Sequence, residues 1–344
     1  MNFILLTQST GPIGWVAKIL GYIMNGIFFI IDKIGLPNIG LAIILFTIVI
    51  NLLMLPLTIK QQKFSKLSAK MNPEVQAIQA KYKGKKDQES MMAQNQEIQA
   101  LYAKYGVSPS GSCVWLLIQM PILFALYRVI YAMPAYVTKI KETFEVLANH
   151  IIAQDQAAYL MNSGVDSIAT TVTTYGKSMT SGSNLVNGVI DVLNKLSSTA
   201  LATVASQYNL SGLTYDGHLI LSNDTTRGLI DTYNNFLGLN IGDSPLTLIR
   251  NAWAVGAIGI VIGAILIPLL SAATQWINVK LMPQQPTTNG NDQASTMAQS
   301  MKTMNMVMPL MSAWFCFTLP AGMGLYWIAG SVVRGIQQVG LNKH

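Results

Sequence analysis

Leu41–Leu57 reads LAIILFTIVINLLMLPL, and Val114–Pro134 reads VWLLIQMPILFALYRVIYAMP. A helix needs about 20 mostly apolar residues to cross a bilayer, and both runs are of that order. The first ends abruptly at Lys60-Gln-Gln-Lys63, and a polar stretch of helix formers follows to Tyr105. The pattern predicts two membrane-spanning helices joined by a basic helical hairpin. It places the chain in the all-α polytopic membrane class, with five core spans, an N-terminal interfacial helix and the hairpin.

Composition agrees. Hydrophobic residues make up 51% and charged residues 11%, where a soluble domain carries about 25% charge. Between Lys60 and Tyr105 stand nine lysines, at 60, 63, 66, 70, 81, 83, 85, 86 and 104, against Glu74, Asp87, Glu89 and Glu97, a net +5. Loops rich in Lys and Arg stay in the cytoplasm, so the hairpin is read as cytoplasmic. Lys63, Lys66, Lys70, Lys81, Lys83, Lys85 and Lys86 form its candidate docking surface. It has no interleaved aromatics, so no specific nucleic-acid site is expected. Cys113 and Cys316 are the two cysteines, without zinc spacing or a disulfide framework. No metal site, cofactor or catalytic residue is expected, and His150 and His218 stand isolated.

Working outward, residues 1–38 form an N-terminal segment. No Lys or Arg precedes Lys18, so a cleaved signal peptide is not expected. Lys18, Asn25 and Asp32 recur every seven residues, opposite Trp15, Ile19, Ile23 and Ile30. That spacing predicts an amphipathic helix in the membrane interface, with a short extra span as the alternative. The first span occupies 39–59, the hairpin 60–111 and the second span 112–134. Within the hairpin, Asn72-Pro73-Glu74 predicts a break and Gly84 the turn. Residues 135–250 read as an extracytoplasmic loop rich in Ser, Thr, Asn and Gly. It holds short helix-like patches at Phe144–Gln154 and Asn184–Lys195, and most of it, 163–231, is expected to be dispensable. The third span is 251–281, a cytoplasmic loop 282–303, and two short spans 304–320 and 322–339 precede a cytoplasmic tail, 340–344. The N-terminus falls outside and the C-terminus inside, in a bacterial plasma membrane.

Polar side chains inside spans are costly and usually face the bundle interior or water. Thr47 and Asn51 lie one turn apart in the first span, and Ser271, Thr274, Gln275 and Asn278 line one face of the third. At 1.5 Å per residue, Asn51 lies roughly 13 Å from Lys60, Gln119 roughly 10 Å from Ser112 and Gln275 roughly 8 Å from Lys280. All three fall in the cytoplasmic half. A polar recess open to the cytoplasm accounts for this, as does ordinary interhelical hydrogen bonding. Arg128 points away from Gln119 and is expected to snorkel outward.

Leu53-Met-Leu-Pro-Leu-Thr-Ile-Lys-Gln-Gln62, Asn72-Pro-Glu74, Tyr105-Gly-Val-Ser-Pro109, Leu117-Ile-Gln-Met-Pro-Ile-Leu123, Phe317-Thr-Leu-Pro-Ala-Gly322 and Gly324-Leu-Tyr-Trp327 together resemble the YidC/Oxa/Alb family of membrane-protein insertases, in its Gram-positive form. The resemblance covers the five spans and the hairpin, but not the large external segment. It implies a protein that assists insertion of integral membrane proteins, alone or beside the Sec translocon, through a hydrophilic groove open to cytoplasm and lipid. It implies newly made membrane-protein clients and the bilayer as partners, with the Sec translocon and the ribosome as further candidates. The groove residues are then Thr47, Asn51, Gln119, Ser271, Thr274, Gln275 and Trp327. Many relatives carry Arg where this chain has Asn51, so a fixed cation in the first span is absent here. The competing readings are a transporter or channel subunit, for which paired midplane charges are missing, and an assembly scaffold without a wet groove.

Overall fold

The computed structural model describes residues 12–82, 84–85, 87–106, 111–176, 179, 184–281, 307 and 309–342, excluding the side chains of 12–13, 64–65, 68–69, 72, 111–119 and 341–342. Two compact units result. The first comprises Met1–Thr47, Pro121–Leu269 and Trp314–Ala329, and the second Ile48–Met120, Leu270–Ala313 and Gly330–His344.

The first unit opens with α1 (Pro12–Lys33). Ala17, Leu20, Met24, Phe28 and Ile31 are buried, while Trp15, Tyr22, Phe29 and Ile30 on the opposite side are exposed. Two residues of the expected polar stripe, Asn25 and Asp32, meet protein, while Lys18 is exposed. The Thr138 N–H donates to Asn25 Oδ1 at 2.9 Å, and Lys139 Nζ pairs with Asp32 at 2.8 Å. Both partners open α7 (Thr138–Asp155). Gly14–Lys33 is also long and apolar enough to cross a membrane.

The segment between the second and third apolar runs is a folded helical body, not a loop. After α2 (Ile39–Leu53), α3 (Leu55–Lys81), α4 (Gln88–Lys104) and α5 (Gly111–Tyr131) come α6 (Met133–Tyr136), α7, α8 (Ala158–Met161), α9 (Asp166–Tyr175), α10 (Leu185–Lys195), α11 (Ser198–Gln207), α12 (Leu229–Asn234) and α13 (Pro245–Ala254). Its sequence is polar on average, yet apolar residues recur at helical spacing. In α10 every residue from Gly188 to Leu193 is buried, and the helix packs on α6, α7 and α9. From α7, Ile140, Phe144, Leu147, Ala148 and Ile151 are buried.

The segment after α12 then fastens this body to two helix ends. Strands β1 (Thr214–Tyr215) and β2 (His218–Leu219) pair antiparallel, as do β3 (Asn235–Phe236) and β4 (Leu239–Asn240). At the entry to α2, Asn38 Nδ2 donates to the Asn235 carbonyl at 2.7 Å. Phe236 lies against Gly40, where an added Cβ would sit 2.5 Å from its ring; only glycine fits. The last helix, α16 (Ala321–Asn342), begins with the Ala321 and Gly322 N–H groups donating to the Asp243 and Ile241 carbonyls at 2.9 and 3.0 Å. These bonds satisfy donors that a helix N-terminus cannot satisfy itself.

The third apolar run starts later than its composition suggests. Gly256 at φ +70° ends α13, with the Ala257 N–H returning to the Ala252 carbonyl at 2.9 Å. Helix α14 (Ile258–Leu281) follows, leaving Trp253 and Val255 on the exposed preceding turn. Helix α15 covers the described residues 309–318.

The first span is bent. Helices α2 and α3 meet at Met54 with an angle of 55°, where the sequence reading ran straight to 59. Pro56, at the start of α3, offers no N–H to the Leu52 carbonyl, and its ring crowds that carbonyl. Leu57 and Thr58 both donate to Met54 instead, at 3.1 and 2.9 Å. By contrast, α3 runs unbroken through Pro73, where a break was expected. Pro73 is exposed, so the carbonyl it orphans reaches water.

Candidate functional site

In the second unit, polar side chains join helices whose outer faces are apolar. Ser271 is fully buried, while Leu270, Trp276 and Ile277 are exposed. Polar inside and apolar outside is the pattern of a bundle solvated by lipid. Gln275 Nε2 donates to Ser271 Oγ at 3.2 Å, and its Oε1 accepts from Ser312 Oγ at 2.8 Å, tying α14 to α15. Asn278 Nδ2 donates to the Ser331 carbonyl at 2.8 Å, tying α14 to α16. Gln337 Nε2 donates to the Asn51 carbonyl at 3.2 Å, just before the bend. Gln62 Nε2 donates to Gln338 Oε1 at 2.5 Å. The remaining carbonyl oxygens of Gln62 and Gln337 are buried without a hydrogen-bond partner among the described residues. Each is an acceptor that a water would satisfy.

Asn51, Ser271, Thr274 and Gln275 therefore share the second unit, whereas Thr47 and Trp327 belong to the first. Thr47 is fully buried, and its hydroxyl donates to the Ile43 carbonyl of its own helix at 2.6 Å. Thr274 likewise donates to the Leu270 carbonyl at 2.7 Å. The Gln119 side chain lies outside the described residues, as do Lys83 and Lys86.

Gln62, Ser312, Ser331, Arg334, Gln337 and Gln338 were not singled out from the sequence. On α16, Trp327, Ser331, Arg334 and Gln338 fall at i, i+4, i+7 and i+11, one stripe of the helix. Val332, Ile336 and Val339 occupy the opposite, exposed side. This periodicity was the available signal. Arg334 is exposed within the inward stripe, between buried Ser331 and Gln338, and its guanidinium donates to Ser331 Oγ at 3.3 Å.

The hairpin is zipped by two matching clusters. Glu97 accepts from Lys81 and, at 2.8 Å, from the Tyr82 hydroxyl; Glu74 accepts from Tyr105 and, at 2.9 Å, from Lys104. Asp87 caps α4 by accepting from the Ser90 N–H at 2.8 Å. Gly84 turns the chain at φ +86°. Lys81 is thus committed internally. Lys63 and Lys70 are exposed, Lys66 is half-buried and engaged, and exposed Lys85 lies 5.6 Å from the Tyr82 ring centre.

Hydrogen bonds from Tyr105 and Lys104 hold Glu74 below the usual glutamate value of 4.5, and those from Lys81 and Tyr82 do the same for Glu97. A lowered native value means the contribution is complete above pH 4.5 and disappears as the pH falls through the lowered values. Spin labels at Ala77 and Ala100 are therefore expected to keep one narrow distance at neutral pH and to spread on acidification. A distribution unchanged by acid would show that apolar packing alone holds the pair.

A family model described as 60Kd inner membrane protein matches residues 29–214 and 229–344. The chain is 42% identical over 113 residues to "Membrane protein insertase MisCA" of Bacillus subtilis (strain 168), a stretch covering 33% of this chain and 43% of that protein. It is 41% identical over 119 residues to "Membrane protein insertase YidC 1" of Halalkalibacterium halodurans, covering 35% and 42%. It is 35% identical over 127 residues to "Membrane protein insertase YidC" of Tropheryma whipplei (strain Twist), covering 35% and 39%. The matched stretches thus span less than half of these relatives. The family model, however, extends over most of the chain, and the chain belongs to the 60Kd inner membrane protein family, the YidC/Oxa insertase family that its motifs resemble.

Proposed function

We propose that this chain is a membrane-protein insertase of the bacterial plasma membrane. Its five core spans are α2 with the start of α3, α5, α14, α15 and α16; the hairpin and C-terminus face the cytoplasm, and α6–α13 lie outside. The observation that carries the reading is the hydrogen-bonded set of Asn51, Gln275, Asn278, Ser312 and Gln337 among helices with apolar outer faces. A client's polar tail enters the recess that these groups hydrate, and its apolar segment passes sideways into lipid. The tail then crosses less hydrocarbon, which removes part of the several kcal/mol that each unsatisfied polar group would cost there. Transfer needs no covalent step. Gln119 contributes to the recess from α5, and Arg334 gives its inner stripe a positive charge. The Sec translocon and the ribosome are candidate partners of the same cycle.

Reconstitution into liposomes tests this. A client with a polar tail should become protease-protected in vesicles containing the protein and stay accessible in empty ones. Equal protection in both would reject the insertase reading. Deleting Lys66–Lys104 should abolish protection while the five spans still fold, because the exposed lysines offer a docking face for arriving chains. Full activity of that deletion would reject docking while leaving the recess standing.

A further inference from the structure

A cavity of about 50 Å³ lies within the first unit, between α10, α12 and the beginnings of α2 and α16. Its polar side chains are Asn194, Lys195, Asn234 and Tyr131, whose hydroxyl is paired with that of Tyr175, and no acid lines it among the described residues. Lys195 Nζ donates to the Tyr131 carbonyl, its one hydrogen bond there, and lies 3.1 Å from the Tyr131 ring centre. An ammonium carries three donors, so two remain. The Asn194 and Asn234 carboxamides have no hydrogen-bond partner among the described residues, and neither is fully buried. Ile39 and Gly322, in the first turns of α2 and α16, also line the cavity. The Gly322 N–H is engaged by the Ile241 carbonyl, but the positive ends of both helix dipoles face this space. Burial pushes the Lys195 ammonium down to about 7, and buried Asp191, one turn back, draws it up only in part.

From these groups we propose that the cavity binds a small monatomic anion of the chloride class, held by Lys195, Asn194 and Asn234. Size and lining favour a halide. The volume suffices for more than one water-sized guest. Three donor side chains among apolar walls such as Ile43, Ile130 and Met323 cannot satisfy the four oxygens of phosphate or sulfate. A weakly hydrated single atom loses less on entry. The bound anion would join α10 to the outer ends of α2, α5 and α16.

The test uses the full-length protein in detergent, with chloride or bromide titrated against gluconate at constant ionic strength. The thermal midpoint should rise with halide and level off, as mass action at one site requires. Sulfate at matched ionic strength should not reproduce that saturating rise. Lys195→Met and, separately, Asn234→Leu should abolish or weaken the halide dependence. If either variant fails to fold, crystals of the parent protein soaked in bromide give the same answer through anomalous signal in this cavity. A rise that is equal for sulfate and never saturates, no rise at all, or bromide found only elsewhere would overturn the proposal.

Discussion

Replacing Gln275 and Gln337 together by leucine is expected to cut insertion of clients with polar tails by roughly thirtyfold, with the protein still folded. Each lost hydrogen-bonding group contributes about 1 kcal/mol, and about 1.4 kcal/mol is a factor of ten in rate. Gln275 joins Ser271 on its own helix to Ser312 on α15, and Gln337 reaches the Asn51 carbonyl. Leucine has nearly the same volume and holds no water. The two serine hydroxyls left behind can turn to carbonyls of their own helices, as Thr47 and Thr274 already do. The measurement is protease protection of a client tail in liposomes beside a thermal melt of the same preparation. Parental insertion by a folded double variant would remove the recess from the mechanism.

The second large effect concerns the helical body outside the spans. Exchanging residues 163–231 for a Gly/Ser linker is expected to unfold it, although its composition suggests a dispensable loop. The exchange removes Val189, Ile190, Val192 and Leu193, all at most 1% exposed. At about 1.5–3 kcal/mol each, these four alone match the 5–15 kcal/mol that typically holds a domain together. It also bares Phe144, Leu147 and Ile151 of α7. Loss of amide protection in α7 and aggregation in detergent are the expected readouts. A linker variant that melts like the parent, with α7 still protected, would restore the view that the segment is dispensable.

What could be read from the sequence was what lipid dictates. Apolar runs, the lysine-rich connection and the motifs around Pro56, Pro121 and Trp327 follow from solvation and give the family. The C-terminal part of α16 was harder to read. Arg334, Gln337 and Gln338 resemble a polar tail when read linearly, and only their spacing from Trp327 puts Arg334 and Gln338 on one stripe. The helical body escaped notice because Ser, Thr and Asn dilute its apolar positions, although LVNGVIDVLNK of α10 is strongly two-sided. The stripe Lys18, Asn25 and Asp32 showed a polar face but not what met it; Thr138 and Lys139 are more than a hundred residues away. Pro73 misled because proline breaks buried helices more reliably than exposed ones.

The bend at Met54 bears on how this membrane protein can vary. Side chains that wet a recess can be exchanged one at a time, and a leucine can dry each of them. The Leu52 carbonyl cannot be dried that way, because the residue four places on is Pro56 and has no hydrogen to offer. Leu52 itself is 55% exposed. An acceptor is thereby written into the main chain near the middle of a span, independent of which side chains surround it. Drift can alter Asn51, Gln275 or Gln337 and leave this demand for a hydrogen-bond donor in place. Only loss of the proline would straighten the helix and cancel it.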